Sequence, residues 1–325
     1  MKVFITGGTG FIGVRLSRFL LDQGHRVTVT GRQERPSLFP AGNFRHIQAD
    51  TTHSGPWQDA LADADAVINL AGQSISGRWT DLYKEQVYNS RILTTRHLVD
   101  ALPDNRQTTL ISASASGYYG DCADRILTES SPSGNDFLAK VSMDWEAEAL
   151  KAQKKAARVV LTRFAVVLDK NGGALKKMLP PFRFFLGGPL GSGMQWFSWI
   201  HLQDLMSVMA HILENPGLKG PINCCSPQPV QNRTLAKTLG RALHRPSFLP
   251  APAFMIRLLL GELGASILGS QRMQPEKLSA AGFIFKFPAL EDAVRDILKT
   301  DTPPAAYVCD VCGDDDCDCH PVEKK

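Results

Sequence analysis

The 325-residue chain has no run of 18 apolar residues, the length a helix needs to cross a hydrocarbon core. Its most apolar stretch, Ala251 to Leu268, is broken by Pro252, Arg257 and Glu262. Leu258, Leu259 and Leu260 are therefore expected on the core face of a helix, and a membrane partner is not expected. The opening MKVFITGGTG turns to glycine after a short apolar run, so it is not read as a signal peptide and a cytoplasmic protein is expected. Charge of one sign is also lacking. Lys and Arg number 36 against 32 Asp and Glu, a formal charge of +4, too weak a bias to imply nucleic acid. A disulfide framework is missing as well. Cys122, Cys224 and Cys225 are scattered, and the other four of the seven cysteines crowd into the C-terminal region, whereas a secreted framework would staple the whole chain. There is no internal repeat. With 43% hydrophobic and 21% charged residues, the chain reads as an ordinary globular protein with one large or two smaller cores.

The pattern along the chain is strand, helix, strand. Strands are expected at Lys2–Thr6, Val27–Thr30, Phe44–Ala49, Ala66–Leu70, Thr108–Ser112, Arg158–Leu168 and Pro221–Cys225. Helices are expected from Ile12 to Gly24, at Ala60–Ala64, at Asp81–Ala101, from about Ser142 to Lys154, and at Asp204–Glu214. The strands are apolar on both faces, which indicates an α/β fold with a Rossmann-like parallel sheet covered by helices. Regularity ends at Asn171–Gln195, rich in Gly, Pro and Phe, and residues 226–300 look like a smaller lobe. Residues 301–325 carry seven acids against two lysines, a net −5 that leaves the body at +9. They read as an acidic, cysteine-rich tail outside the core.

Gly8-Thr-Gly10-Phe11-Ile12-Gly13 follows a strand and opens an amphipathic helix, the context a GxGxxG dinucleotide motif needs. Gly7 or Gly8 allows the tight turn, Gly10 lets backbone approach a pyrophosphate, and Gly13 permits close helix–sheet packing. The phosphates would rest on the free N–H groups of the helix start, at Phe11 and Ile12. After the second strand an NAD site usually carries an acid for the ribose hydroxyls. Here the chain reads Thr30-Gly31-Arg32-Gln33, with Arg35 nearby, and an arginine can pair with a 2′-phosphate. The expected cofactor is NADP(H). Asp50, after the third strand, is placed to accept from the adenine amino group.

MKVFITGGTGFIG, Asp50, NLAG at 69–72, SASASGYYG at 112–120 and SWIHLQD at 198–204 resemble the extended short-chain dehydrogenase/reductase superfamily. RWTDLYKEQVYNSRILTTRHL (78–98), DFLAKVSMDWEAEA (136–149), the segment 172–201, PAFMIRLLLGE (252–262) and QRMQPEKLSAAGFIFKFPALEDA (271–293) are similar to its atypical branch of nucleoside-diphosphate-sugar epimerases with a C-terminal DUF1731 domain. The likeness covers about residues 1–300. It implies an NADP(H)-binding domain from 1–171 and 196–225, interleaved with a substrate lobe from 172–195 and 226–300, DUF1731-like at about 250–298. It further implies that Asn69, Leu70, Ala71 and Gly72 line the cofactor, and that Asn89 is a structural asparagine.

Working members of that superfamily use a Ser or Thr, a Tyr, and a Lys four residues after it. The tyrosine exchanges a proton with the reacting hydroxyl or carbonyl, and the lysine supports it. Ser114 is the expected serine, with Ser112 and Ser116 near. The Tyr-Lys pair has no counterpart: Phe137 and Val141 stand at those positions, and phenylalanine cannot carry a proton. Replacement acid/base candidates are Tyr118, Tyr119 and Glu129. Lys140, one residue off register, is turned by about 100° on a helix and is a candidate for the ribose. Arg78, Trp79, Arg163, Gln195, Trp199 and His201 are softer cleft candidates. Two functions stay open. One is an NADP(H)-dependent oxidoreductase or epimerase acting on a small or nucleotide-linked alcohol or ketone. The other is a non-catalytic NADP(H)-binding sensor or interaction protein. The expected partner is a small-molecule substrate, and oligomeric state is not read from the sequence.

In the tail, Cys309 and Cys312 form a CxxC, and Cys317, Cys319 and His320 could complete a tetrahedral site for zinc. The competing reading is an acidic tail with free thiols.

Overall fold

The computed structural model describes residues 1–33, 42–104, 106–155 and 157–299. The tail cysteines and His320 lie outside the described residues, as does Arg35.

The N-terminal half alternates as expected. Strand β1 (Lys2–Thr6) leads to helix α1 (Phe11–Asp22), then β2 (Arg26–Gly31), β3 (Phe44–Gln48), β4 (Ala66–Asn69), helix α2 (Asp81–Ala101), β5 (Thr109–Ala115), β6 (Ile126–Leu127), helix α3 (Phe137–Leu150) and β7 (Arg158–Phe164). Further on come β8 (Val166–Leu168), α4 (Gly173–Arg183), β9 (Trp196–Phe197), β10 (Trp199–His201), α5 (Leu202–Glu214), β11 (Gly220–Cys224), β12 (Val230–Gln231) and α6 (Asn232–Leu243). The last elements are α7 (Ala253–Leu260), α8 (Glu262–Leu268), β13 (Arg272–Met273), α9 (Glu276–Ala280) and α10 (Leu290–Lys299).

Seven strands form one parallel sheet in the order β11-β7-β5-β4-β1-β2-β3. Strand order reverses between β1 and β4. Connections leave in opposite directions there and open a crevice at the carboxyl ends of the strands, where doubly wound sheets bind ligands. Alternation along the strands feeds two core layers. Val3 and Ile5 face Leu16 and Leu20 of α1 and the apolar side of α5. Phe4, Val67 and Leu110 face Trp57, Leu61 and Leu98 on the other side. A third core joins α4, α6 and α10 around Trp199.

Several boundaries differ from the sequence reading. Arg158–Leu168 is not one strand: β7 ends at Phe164, and β8 leaves the main sheet to pair with β10. Residues Pro56–Leu61 form a 3-10 turn in place of the helix expected at 60–64. Helix α3 starts at Phe137 because the Asp136 carboxylate accepts the Ala139 amide at 2.8 Å, an N-cap that anchors the helix one turn early. Leu258 and Leu259 are 81% and 76% exposed, so the expected core face of α7 is corrected: Ile256 is the residue of that helix that is buried. No helix among the described residues is long and apolar enough to cross a membrane.

His201 caps α5, its Nδ1 accepting from the Gln203 amide at 3.1 Å, while its ring lies 4.1 Å from that of Phe287. Burial holds its pKa below the ordinary value, against the raising effect of Asp296, Asp204 and Asp169 and with that of Lys286. A histidine kept neutral by the fold stabilises above its unfolded pKa, about 6.5, and this contribution is lost as pH falls through the folded value. His201→Asn keeps a capping oxygen and removes the titration. The loss of urea resistance between about pH 7.5 and pH 5.5 is expected to shrink in this variant; an unchanged loss would assign it to other groups.

Candidate functional site

The β1–α1 turn is built for a close ligand. Gly7 has φ +67°, and a Cβ there would sit 2.9 Å from the Ala71 amide nitrogen. A Cβ on Gly13 would approach the Gly7 carbonyl to 2.2 Å, so only glycine lets α1 begin this close to β1. At Gly10 a Cβ would meet only the Gly7 oxygen at 3.3 Å, leaving its outer side open. No side chain caps α1, and its first turn holds no acid. The Phe11 and Ile12 amides thus stand at an unfilled, partly positive helix end, which matches a phosphate group. The Phe11 ring turns away and lies on Gly172, whose Cβ would come 2.2 Å from it.

Arg32 is exposed directly after β2. The Gln48 amide donates to its carbonyl at 3.0 Å. Asp50 follows β3, its Oδ1 accepting from the Thr52 amide at 3.0 Å and the Thr52 hydroxyl at 2.7 Å. Burial pulls its pKa upward, but the Thr52 bonds and the charges of His53 and Arg32 outweigh this and hold it below the ordinary value. Across the crevice, Leu70, Ala71 and Gly72 follow β4. Asn69 requires a correction. Its side chain is fully buried, accepting from Thr6 Oγ1 at 2.6 Å and donating to Thr95 Oγ1 at 2.8 Å. It ties β1 and β4 to α2 beneath the crevice and does not line it. Asn89 donates to Glu85 at 3.4 Å on the exposed side of α2.

The expected catalytic group is not brought together in the crevice. Ser114 is 2% exposed, and its hydroxyl donates to Glu146 Oε1 at 2.6 Å. Glu146 holds Arg163 in a two-point pair, Nε to Oε1 and Nη2 to Oε2, both at 2.8 Å. Burial works to lower the Arg163 pKa, but Glu146 and Tyr119 outweigh it and hold the guanidinium firmly charged. Arg163 Nη1 donates to the Tyr119 hydroxyl at 2.9 Å, and that hydroxyl donates to Asn223 Oδ1 at 2.7 Å. Tyr119 is 1% exposed, and burial pushes its pKa up to about 12. Glu129 is also buried. Its Oε1 accepts the amides of Asn223 at 3.0 Å and Lys277 at 3.3 Å, binding β11 to α9. Ser114, the expected serine, and Tyr119 and Glu129, two of the acid/base candidates, are therefore placed in one buried network. Asn223 and Glu146, which complete it, carry no sequence signal: Glu146 is one of several acids on α3.

Lys140 is exposed on α3 and donates to Asp144 at 2.8 Å, where the Tyr88 hydroxyl also donates at 3.0 Å. Tyr118 differs from the other phenols. It is half-buried on the turn after β5, with the Arg163 guanidinium 3.5 Å from its ring centre. Its hydroxyl has no hydrogen-bond partner among the described residues. Phe137 packs edge-on against Trp79, ring centres 5.2 Å apart, and lies under Lys84. Val141 is buried. Arg78 is exposed, Gln195 donates to the Leu190 carbonyl, and Trp199 is wholly buried with its indole N–H on Gln228.

A doubly wound parallel sheet with a glycine-walled helix start at its switch point defines a nucleotide-binding oxidoreductase-type fold. Residues 3–225 match the NAD dependent epimerase/dehydratase family, and 251–297 match the domain of unknown function DUF1731. The chain belongs to that epimerase family. It is similar to the chloroplastic epimerase family protein SDR39U1 homolog of Arabidopsis thaliana, with 43% identity over 92% of this chain and 87% of that one. Among solved structures, the human epimerase family protein SDR39U1 with NADPH shares 33% identity over 92% of this chain and all of that chain, with a TM-score of 0.81. The nucleoside-diphosphate sugar epimerase of Corynebacterium glutamicum shares 32% over 92% of this chain and 58% of that chain, with a TM-score of 0.73.

Proposed function

We propose that the protein binds NADP(H) in the β1–β4 crevice and moves a hydride between it and a carbinol or ketone carbon of a nucleotide-linked substrate, as an oxidoreductase or epimerase. The observation that carries this reading is the uncapped, acid-free start of α1 with Arg32, and no acid, at the described end of β2. The human relative solved with NADPH supports the cofactor, and the relative from Corynebacterium glutamicum supports the substrate class.

Bound NADP(H) supplies or accepts the hydride. The chain's own residues do the rest. Amides of Phe11 and Ile12 would hold the diphosphate, Arg32 would pair with the 2′-phosphate, and Asp50 would orient the adenine. Tyr118 is the phenol left to exchange the proton, because its hydroxyl is uncommitted while Arg163 fixes its ring. Phe137 and Trp79 place an apolar pair where the superfamily resemblance implies a tyrosine.

A second reading, a binder without turnover, is favoured by one observation: the hydroxyls of Ser114 and Tyr119 and one carboxylate oxygen of Glu129 are committed to the buried network. One experiment separates the two. Nucleotide-stripped protein is titrated with NADPH and NADH by fluorescence, then NADPH oxidation is followed with free and nucleotide-linked ketones. NADPH is expected to bind at least about tenfold tighter, about 1.4 kcal/mol. Oxidation that Tyr118→Phe abolishes supports the enzyme, and tight binding with no oxidation of any ketone supports the binder. If neither nucleotide binds, both readings fail.

A further inference from the structure

Arg91 of α2 is the anomalous cation of the crevice. Its Nη1 donates to the carbonyls of Gln73 and Val87, both at 3.0 Å, and its guanidinium lies 5.3 Å from the Trp145 ring centre. No carboxylate pairs with it among the described residues. Burial pushes its pKa down to about 10, against a raising effect of Tyr83. Two arginines show how such a charge is otherwise compensated, while the half-buried Arg272 also lacks a carboxylate among the described residues and lies over the Trp196 ring. Arg163 has Glu146. Arg158 lacks a carboxylate but donates to the carbonyls of Ile212, Asn215 and Leu218 at the C-terminus of α5, where the helix dipole is negative. Arg91 contacts a carbonyl in the middle of its own helix and one loop carbonyl. Its Nε and Nη2 donors have no hydrogen-bond partner among the described residues. Removing a cation from water without a counter-charge is costly, and such groups are retained where a ligand completes them.

Its position says which ligand. A Cβ on Gly72 would lie 3.1 Å from Arg91 Cζ and 3.3 Å from both terminal nitrogens, so Gly72 is the thin wall over the guanidinium. The preceding residue, Ala71, abuts Gly7, the turn that opens α1. The charge therefore stands on the β4 side of the crevice, facing the side formed by the uncapped α1. We infer that Arg91 is the counter-charge for the diphosphate of the bound dinucleotide, which it holds from the β4 side while the amides of α1 hold it from the other. A planar guanidinium with its Nε–Nη2 edge free suits phosphate oxygens better than an ammonium does. This rests on the reading that the crevice takes NADP(H).

The test compares Arg91→Met and Arg91→Lys with the full-length wild type, using two probes: NADPH, and adenosine 2′-monophosphate, which keeps adenine and 2′-phosphate but has no diphosphate. Arg91→Met is expected to raise the NADPH dissociation constant roughly 10- to 100-fold and Arg91→Lys less, with the monophosphate bound equally by all three. The ligand-free Arg91→Met protein is expected to melt no lower than wild type, because an uncompensated cation has been removed. An unchanged NADPH constant overturns the inference and assigns Arg91 to an anion of the substrate. Equal weakening of both probes, or a lowered melting temperature without ligand, overturns it in favour of a structural role. Wild-type protein that binds no NADPH removes the cofactor reading and this inference together, whereas tight binding by wild type and Arg91→Met alike removes only this one.

Discussion

Glu146→Ala is expected to destabilise the protein by about 3–5 kcal/mol, the cost of leaving one member of a buried ion pair alone. Arg163 would keep its charge at 3% exposure with both carboxylate bonds gone. Ser114 would lose its acceptor, and the clamp on the Tyr118 ring would loosen. The damage would spread along the chain of bonds from β5 through α3 and β7 to Asn223 on β11. Glu146→Leu combined with Arg163→Met should recover most of the loss, since apolar residues of similar volume replace a buried pair at little net cost. Urea denaturation of the two variants checks this. A single-variant loss under about 1 kcal/mol would mean the pair is hydrated and behaves as a surface bridge.

The same network explains which parts of the molecule could be read from the chain. The parallel sheet was legible because the strands Lys2–Thr6, Ala66–Asn69 and Thr109–Ala115 are buried on both faces, which leaves a nearly continuous apolar signal. The glycine turn was legible because each glycine answers a local steric demand, such as the contact between Gly13 and the Gly7 carbonyl. The hydrogen-bond partners of the candidate polar residues were not. Ser114 sits where a serine is expected, but its direction depends on Glu146, 32 residues away. Glu129 sits on a loop, but one of its carboxylate oxygens is taken by the amides of Asn223 and Lys277. Arg91 reads in sequence as one more charge on an amphipathic helix, and only the missing carboxylate reveals it. Long-range partners decide whether a polar side chain serves the site or the fold, and no spacing rule encodes them. The exposure of Leu258 and Leu259 has the same origin: α7 is apolar by composition, but packs mainly on the short α8.

Reversing the charge at Arg32 should have the largest effect on ligand choice. Arg32→Glu is expected to raise the NADPH dissociation constant about 100-fold, about 2.7 kcal/mol, while the NADH constant changes by no more than a few fold. The asymmetry follows from what each ligand presents. NADPH brings a 2′-phosphate, which would lose a charge-assisted donor and meet a like charge instead. NADH brings ribose hydroxyls, for which a carboxylate at the end of β2 is a suitable acceptor. The local backbone has reason to stay in place, because Gln48 holds the carbonyl of residue 32 and not its side chain. Asp50 would lose one of the charges that keep its pKa low, but retains both Thr52 bonds, so its carboxylate stays ionised near neutrality. Arg32 is exposed, so added salt should also shrink the wild-type preference for NADPH. Parallel fluorescence titrations of wild type and Arg32→Glu at low and moderate salt measure all of this. If Arg32→Glu keeps the full NADPH preference, the 2′-phosphate is read by another cation, and Arg35 is the next residue to replace.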